Sequence, residues 1–268
     1  MAIITLCTDF GTQDEYVGVL KGVILSVHPS ATIVDLCHQI PPQDVIAAAY
    51  MMRASFVCFP EGSVHVAIID PGVGTARAIV AARHHGHLFL APDNGLLPLM
   101  FNGDTPNDLV KVDNRELFRR PVSRTFHGRD IFAPVAAHLA RGSELKTVGQ
   151  AMAPSRLQRL DHDSPCVDPA AGITGQIIGI DRFGNLMTNI ELSLLNRLVF
   201  DDRDGSVETR VGQHRILGMV NHYAEGASGE AVALIGSRGC LEIAVNCGSA
   251  AEKLRASRGD DVWVNMVI

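Results

Sequence analysis

The chain has 268 residues, of which 47% are hydrophobic and 19% are charged, and its formal net charge is −6. A chain of this length can bury one large or two modest cores, and its composition excludes general disorder. The negative charge argues against a partner held through nucleic-acid phosphates. No apolar run approaches the roughly 20 residues that span a bilayer, and Asp9 interrupts the first apolar stretch, so we expect neither a membrane anchor nor a signal peptide.

The cysteines contain no CxxC pair, which argues against a zinc ribbon. Most of them lie in apolar runs, where free, buried thiols are the usual outcome. The six positions are Cys7, Cys37, Cys58, Cys166, Cys240 and Cys247. We therefore expect a protein of a reducing, cytoplasmic compartment.

The first half of the chain alternates strand and helix patterns. The predicted strands are 2–8, 31–38, 62–70 and 87–93, and the predicted helices are 11–30, 41–56 and 128–142. Prolines open the helix over 41–56, where they suit a first turn. Because the strands are apolar throughout, we expect a mostly parallel sheet with helices on both faces. Such sheets bind ligands at the carboxyl ends of their strands, where Asp9, Asp70 and the segment 91–95 lie.

The second half changes character. Residues 151–170 are rich in proline and aspartate and show no period, which is typical of a linker. Short strand patterns separated by turn residues follow, over 175–190, 207–211, 214–220, 231–236, 240–246 and 261–268. They predict a smaller all-β module, a barrel or a sandwich. We expect an α/β domain over 1–150, a linker over 151–170 and a β-barrel domain over 171–268.

An apolar run in the segment AIIDPGVGTARAIV, residues 67–80, breaks at Asp70 and resumes after Arg77. The segment lacks the GxxxxGK[ST] pattern of a phosphate loop. One interpretation is a turn with a solvated Asp–Arg pair. The other is a reaction site that His127, just before a predicted helix, completes. Asp9 has two interpretations as well, a helix cap or an acceptor for a diol such as a ribose.

Three further segments carry polar groups at predicted turns. The histidines of RHHGH, residues 83–87, suggest a metal site, but adjacent residues of a strand face opposite ways, so a hairpin tip is favoured. Phe183 could stack on a base whose edge Asn185 reads, or both could belong to an ordinary hairpin turn. Arg238, beside Ser237, could hold a carboxylate or lie free on the surface.

The order of these motifs resembles one enzyme family. The motifs are TDFGTQDEY, VDLCHQIPPQDV, FPEGSVHVAIIDPGVGT, APDNGLL, TFHGRDIFAPVAAHLA, IDRFGNLMTNI and SRGCLEIAVN, and they cover nearly the whole chain. Together they resemble the S-adenosyl-L-methionine hydroxide adenosyltransferases, which form adenosine and are related to the fluorinating and chlorinating enzymes. The resemblance implies an N-terminal α/β domain, a C-terminal β-barrel, and a homotrimer with sites between subunits. It implies S-adenosyl-L-methionine as the substrate, and neither a metal nor a cofactor.

The resemblance also implies a role for each candidate residue. The catalytic set falls on Asp70, Arg77 and His127, and the ribose-binding aspartate on Asp9. Contacts to adenine fall on Phe183, Asn185, Tyr223 and the backbone near Cys247. Contacts to the methionine end fall on Asp14, Asp181 and Ser237, with Arg238 in support.

Departures from the halogenating branch indicate the hydrolytic branch. The halogenating enzymes have a longer connection where this chain has the short segment 83–87. They have a tyrosine, a threonine, a serine (in the fluorinating enzymes) and a tryptophan where this chain has Asp70, Val73, Gly128 and Gln43 respectively. A carboxylate suits water, which has protons to donate, better than it suits a halide.

The sequence leaves three alternatives to a hydrolase of S-adenosyl-L-methionine. The first is a nucleoside halogenase. The second is a metal-dependent hydrolase that uses Asp70, His127 and the histidines of 83–87. The third is a non-catalytic protein that binds adenosine or S-adenosyl-L-methionine.

Overall fold

The computed structural model describes residues 2–162, 164–168, 172–199 and 206–267. The chain divides into two compact units, Met1–Leu160 and Asp161–Ile268. Within the described ranges, every helix is too short or too polar to cross a membrane. The domain limits at residues 150 and 170 and the cytoplasmic location stay predictions.

The first unit is a seven-stranded sheet with α-helices. Its strands are β1 (Ile3–Thr8), β2 (Thr32–Cys37), β3 (Val64–Ile68), β4 (Ile79–His84), β5 (His87–Pro92), β6 (Asp108–Val112) and β7 (Gly149–Ala151). Its α-helices are α1 (Tyr16–Val27), α2 (Val45–Ser55), α3 (Leu96–Phe101) and α4 (Ala133–Ala140). The strand order is β2-β1-β3-β5-β4-β6-β7.

The predicted α/β class is confirmed, and the sheet is mixed. Strands β2, β1, β3 and β5 are parallel, whereas β4, β6 and β7 join through antiparallel pairs. Side chains on the two faces of the sheet enter two separate cores. Val66 and Ile68 pack in the core of α1 and α4, while Ala67 and Ile69 pack in the core of α2 and α3. This alternation shows that both faces are covered.

The strand directions bring the candidate residues of the first half to one edge of the sheet. Because β1, β3 and β5 are parallel, Asp9, Asp70 and Asn94 all follow strands that end at the same edge. Strand β4 runs antiparallel to β5, so it begins at that edge, just after Arg77. The hairpin over 84–87 lies at the opposite edge.

The start of α2 differs from the prediction. The prolines were expected in its first turn, but they precede the helix, which begins at Val45. The Asp44 side chain accepts a hydrogen bond from the N–H of Ala47 at 2.8 Å and caps the helix instead. The predicted helix over 128–142 is present, with a wide π-helical turn over Gly128–Phe132 that leads into α4, and Pro134 lies near the start of α4.

The second unit is a nearly closed antiparallel barrel, which confirms the predicted β class. Its strands are β8 (Cys166–Asp168), β9 (Gly172–Ile180), β10 (Leu186–Glu191), β11 (Ser206–Val211), β12 (His214–Leu217), β13 (Ala231–Ile235), β14 (Cys240–Val245) and β15 (Asp261–Val267). They pair in the order β12-β11-β15-β9-β10-β14-β13, with β8 on β9. Just beyond β12, the N–H of Val220 donates to the carbonyl of Ala233 in β13 at 2.9 Å, which draws the sheet ends together.

Two helices of the second unit were not predicted. They are α5 (Leu192–Val199) and α6 (Ala250–Leu254). Leu195, Ala250 and Leu254 are buried in the same core as the strands. Short helices of this kind are easily missed, because one or two turns show little periodicity.

The cysteines are free, as predicted, but their burial differs from the prediction. Cys7 and Cys240 are buried, and burial raises the pKa of the Cys7 thiol to about 12. Cys58, Cys166 and Cys247 are exposed, which contradicts the prediction. Cys58 ends a short 3₁₀ helix, Cys166 lies in the edge strand β8, and Cys247 lies in a turn, so none of them reaches a core.

We predict that Phe132→Ala lowers the free energy of unfolding by about 3–5 kcal/mol, because a cavity would replace a fully buried ring. Phe183→Ala is the matched control, since its ring is 76% exposed. Urea unfolding of both variants measures the difference. Equal losses would contradict the core position of Phe132.

Candidate active site

Asp70 and Arg77 form a bidentate ion pair at the carboxyl edge of the sheet. Arg77 Nε donates to Asp70 Oδ1 at 2.8 Å, and Arg77 Nη2 donates to Asp70 Oδ2. Only 6% of the Asp70 side chain and 11% of the Arg77 side chain are exposed. The interpretation as a solvated pair is therefore wrong. Each charge is stabilised by the other, because neither is well exposed to water.

His127 completes a cluster with this pair. Its Nδ1 lies 3.0 Å from Arg77 Nη2. A guanidinium has no acceptor, so Nδ1 must accept and the ring proton must be on Nε2. Burial and the adjacent Arg77 charge lower the pKa of His127 below 6.5, against the opposing effect of Asp70. The imidazole is thus held neutral, in one tautomer, at neutral pH.

A tight turn positions the ion pair. The N–H of Val73 donates to the Asp70 carbonyl at 3.2 Å, and Thr75 Oγ1 donates to the Gly72 carbonyl at 2.7 Å. Gly74 has a φ of +79°, and a Cβ there would lie 2.1 Å from the carbonyl oxygen of Arg124. Only glycine fits this contact, which joins the turn to the segment that carries His127.

Several residues that the sequence analysis did not select support the cluster. Asn94 Nδ2 donates to the Ile69 carbonyl at 2.8 Å, next to Asp70. The Phe132 ring lies beneath Arg77, with its centroid 5.9 Å from the guanidinium carbon. Asp130 is buried and accepts hydrogen bonds from Arg129. Asn94 and Asp130 lie inside the motifs APDNG and TFHGRD, but nothing in the sequence indicates that their side chains act as supports.

Asp9 lies at the same edge of the sheet. Its Oδ2 accepts the N–H of Gln43 at 2.8 Å. Helix α1 begins only at Tyr16, after Glu15, so the interpretation of Asp9 as a helix cap is wrong. Asp14 is exposed on the intervening loop.

An aromatic cluster connects the loop after β1 with the His127 segment. The rings of Phe10, Tyr16 and Phe126 lie 5.2 to 6.1 Å apart between centroids. A Cβ at Gly128 would lie 3.3 Å from atoms of both Leu20 and Phe126. The cluster therefore leaves little room for a larger residue at position 128.

Arg77 and His127 border two clefts, each of about 550 Å³. Arg77 lines the first, with Ala76, Ala78, Asp93, Asn94, Lys111, Met152, Arg156, Gln158 and Arg159. His127 lines the second, with Arg115, Phe118, Arg120, Val122 and Ile131. Each cleft is large enough to receive part of a small organic ligand.

In the second unit, the turn over 181–185 is stabilised by its own aspartate. Asp181 Oδ1 accepts the N–H groups of Phe183 and Asn185 at 2.8 and 2.9 Å, and Oδ2 accepts Asn185 Nδ2 at 3.0 Å. The Asn185 side chain is buried and oriented by this bond. The Phe183 ring is 76% exposed, which is unusual for a large aromatic side chain.

Other predicted residues of the second unit surround this turn. A Cβ at Gly184 would lie 2.1 Å from Ser249 Oγ, so the turn contacts the segment that follows Cys247. Tyr223 donates to Glu242 Oε1 at 2.7 Å, and this bond and burial raise the pKa of Tyr223 to about 12. Glu242, which the sequence analysis did not select, also lies beside Gly236. Ser237 and Arg238 are exposed in the turn that follows Gly236.

The histidines of 83–87 lie apart from the cluster. The predicted hairpin is confirmed, with β4 ending at His84 and β5 beginning at His87. The expectation that adjacent histidines face opposite ways is wrong, because His85 has a φ of +45° and its ring lies 4.1 Å from that of His84. Arg77 precedes the other end of β4, about 20 Å away. One metal ion cannot bind both groups, which excludes the metal-dependent alternative that combines them.

Comparisons with known proteins identify the family. Residues 4–149 match the SAM hydroxide adenosyltransferase N-terminal domain, and residues 175–263 match the C-terminal domain of the same family. A protein named (R)-S-adenosyl-L-methionine hydrolase from Salinispora tropica is 38% identical over 97% of both chains. A protein named fluorinase from Nocardia brasiliensis is 29% identical over 98% of this chain and 97% of its own length.

A solved structure has the same fold. It is that of an uncharacterized conserved protein from Thermotoga maritima, which superposes with a TM-score of 0.88 at 35% identity. The match covers 98% of this chain and all of the other. The family domains, the full-length relatives and the shared fold agree with the motif order, and the chain belongs to the SAM hydroxide adenosyltransferase family.

Proposed function

We propose that this chain hydrolyses S-adenosyl-L-methionine to adenosine and L-methionine. Family membership supports the substrate, and a relative named as a hydrolase of this compound is 38% identical over nearly the full length. The observation that carries the proposal is the contact of Asp70, Arg77 and His127, whose positions in sequence are up to 57 residues apart.

The chemistry requires little besides positioning. The oxygen of a water attacks C5′, the C5′–S bond breaks, and its electron pair stays on sulfur, so methionine leaves as a neutral thioether. The water proton passes to a base or to solvent. Because the sulfonium is a good leaving group, the reaction needs no acid, metal or cofactor. Orienting the water in line with the breaking bond can supply several kcal/mol of rate enhancement.

The geometry supports a distinct role for each member of the cluster. Asp70 can accept a hydrogen bond from the attacking water, because each carboxylate oxygen has a second lone pair. Arg77 stabilises the developing hydroxide. His127 accepts from Arg77 through Nδ1 and holds the guanidinium in place. It can take up a proton at Nδ1 only after this bond breaks, so we assign it to positioning rather than to proton removal.

Residues of both units fit parts of the substrate. We assign the ribose hydroxyls to Asp9 and the adenine to Phe183, Asn185, Tyr223 and the backbone near Cys247. The exposed Phe183 ring supports stacking on a base, and the oriented Asn185 amide supports reading of its edge. We assign the methionine end to Asp14, Ser237 and Arg238, with Asp181 also stabilising its own turn.

A halogenase is the second candidate, and two observations favour the hydrolase. Arg77 neutralises Asp70, so charge repulsion alone does not exclude a halide. However, water can donate a hydrogen bond to Asp70, whereas a halide cannot. The aromatic cluster also restricts position 128, where the fluorinating enzymes carry serine.

We further propose a closed homotrimer in which each site combines Asp70 of one subunit with Asn185 of a neighbour. The family resemblance supports this arrangement, and the two residues lie in different units of the chain. A heterologous interface of this kind closes into a ring.

We predict that metal-free protein forms adenosine and methionine in equal amounts. In ¹⁸O-water, the label should enter the 5′-hydroxyl of adenosine, and mass spectrometry measures it. Unlabelled adenosine would rule out attack of water at C5′. Formation of 5′-halo-5′-deoxyadenosine as the major product in excess chloride or fluoride would favour the halogenase.

We predict that Asp70→Ala and Arg77→Ala each lower kcat by about 10²-fold or more, with smaller changes in KM. Asp108→Ala and Arg83→Ala are matched controls, since these residues form an exposed pair at the other end of β4. His127→Asn should be at least about tenfold more active than His127→Ala, because an amide oxygen can replace Nδ1 as the acceptor. Equal activity of the two His127 variants would argue for proton transfer instead.

Activity should also depend on pH through His127. Protonation removes the Nδ1 acceptor, so kcat/KM should fall on the acid side, at a pH below the ordinary histidine value of 6.5, because burial and Arg77 lower this pKa. The fall should be absent in His127→Asn. An acid limb that persists in this variant would assign it to another group.

We predict that mixed trimers of Asp70→Ala and Asn185→Ala regain about one-third of wild-type activity. Each single variant should be nearly inactive. A closed trimer of two kinds contains one interface that joins both intact halves, and purification through two different tags isolates such trimers. If verified mixed trimers stay inactive, the shared site is wrong, while the reaction itself is unaffected.

A further inference from the structure

Two histidines at the tip of the β4–β5 hairpin lie beside Asp104 of the loop between α3 and β6, and the proposed reaction uses none of the three. One ligand atom each of His84, His85 and Asp104 lies within 4.8 Å of the other two. His85 Nε2 is 3.5 Å from Asp104 Oδ2. We propose that His84, His85 and Asp104 form a binding site for a divalent transition-metal cation of the zinc class.

The backbone brings the two histidines together. Residues adjacent in a strand face opposite sides, but His85 leaves the strand with a φ of +45°. Its ring therefore contacts the ring of His84, with centroids 4.1 Å apart. The bent turn converts two consecutive histidines into a pair of ligands on one side of the hairpin.

Packing holds one of the three side chains in place, and the other two can move toward a bound ion. His84 is 4% exposed, and its ring packs against Phe101 with centroids 4.4 Å apart. His85 and Asp104 have side chains 64% and 66% exposed, so they can rotate toward the ion. Ligand atoms of a tetrahedral zinc site lie about 3.4 Å apart, which requires a shift of roughly 1 Å. This shift is possible because His84 is fixed while His85 and Asp104 are free to rotate.

The third histidine of the hairpin points into the protein and does not join the group. His87 Nδ1 bonds His65 Nε2 at 3.0 Å, and His65 Nδ1 bonds Thr5 Oγ1 at 2.8 Å. His87 lies opposite His84 on the same face of the hairpin, but its Nδ1 is engaged by His65. The proposed site is left with two imidazoles, one carboxylate and an open position for water or a further ligand.

The donor set selects the class of cation. Imidazole suits zinc, cobalt, nickel and copper, whereas magnesium and calcium prefer sites made only of oxygen atoms. Because the site lies at the other end of β4 from Arg77, the ion would not take part in the reaction. It would tie the hairpin tip to the loop between α3 and β6, which carries Asp104.

The test measures binding of Co²⁺ by its visible spectrum, and of Zn²⁺ by competition with a chromophoric chelator, to the full chain. His85→Asn is the first variant, because asparagine tolerates positive φ and the hairpin should fold. Asp104→Asn is the second. His222→Ala is the matched control, since His222 and Glu225 form an exposed pair with the same 3.5 Å separation, and among the described residues no third ligand joins them.

We expect one Co²⁺ per chain, an apparent Kd weakened at least about tenfold in His85→Asn and Asp104→Asn, and no change in His222→Ala. Zn²⁺, but not Mg²⁺, should raise the melting temperature of the wild type and of His222→Ala, and not that of His85→Asn. Equal binding by the wild type and the two ligand variants would overturn the proposal. So would a spectrum dominated by thiolate-to-cobalt charge transfer, which would place the ion on cysteines.

Discussion

The bidentate pair of Asp70 and Arg77 is the interaction on which the candidate site depends. Both side chains are largely withdrawn from water, so either charge alone would be strongly destabilising. The pair is possible because β4 reverses the direction of the sheet. Strand β4 begins at the edge where β3 ends and runs away from it, so a turn of only six residues at this edge separates the two partners. In a wholly parallel sheet, Arg77 would lie far from the carboxylate that it neutralises.

The electrostatic state of His127 follows from the same pair. Arg77 directs an N–H at Nδ1, which leaves the ring no choice of tautomer, and its positive charge disfavours an imidazolium beside it. The glycine at position 74 makes this contact geometrically possible, because it lets the turn approach the Arg124 carbonyl. One turn thus requires a glycine at position 74 and brings Arg77 to Asp70. Through Arg77, it also fixes the tautomer of His127.

In the proposed site, the two units would contribute different kinds of recognition. The first unit provides charged groups at a sheet edge, where a polar reaction needs orientation and electrostatic support. The second provides an exposed ring and an oriented amide on a turn that is rigid because Asp181 binds its backbone. Stacking on a base and hydrogen bonding to its edge need few charges, but they need side chains in fixed positions. A rigid turn of the barrel provides such positions. The proposed trimer would bring these two kinds of surface to one substrate.

The amino-acid sequence by itself determined the class of each unit, the order of most strands and helices, and the identity of the candidate residues. Local patterns carry this information, since periodicity marks strands and helices, and motif order marks the family. The confirmed strand before Asp9, the hairpin over 83–87 and the helix after His127 are all local features.

Only the tertiary structure decided which of these residues meet. Arg77 contacts both Asp70 and His127, because of a strand reversal and a close contact at Gly74, neither of which leaves a periodic signal in the sequence. Asn94 and Glu242 bond residues that are distant in sequence, so their residue types alone did not identify them. Asp130 bonds the adjacent Arg129, and only the folded chain shows that its side chain is buried. The adjacent rings of His84 and His85 depend on one backbone angle at a turn. Residue type permits a positive φ at His85 but does not specify it, so this angle is known only from the folded hairpin.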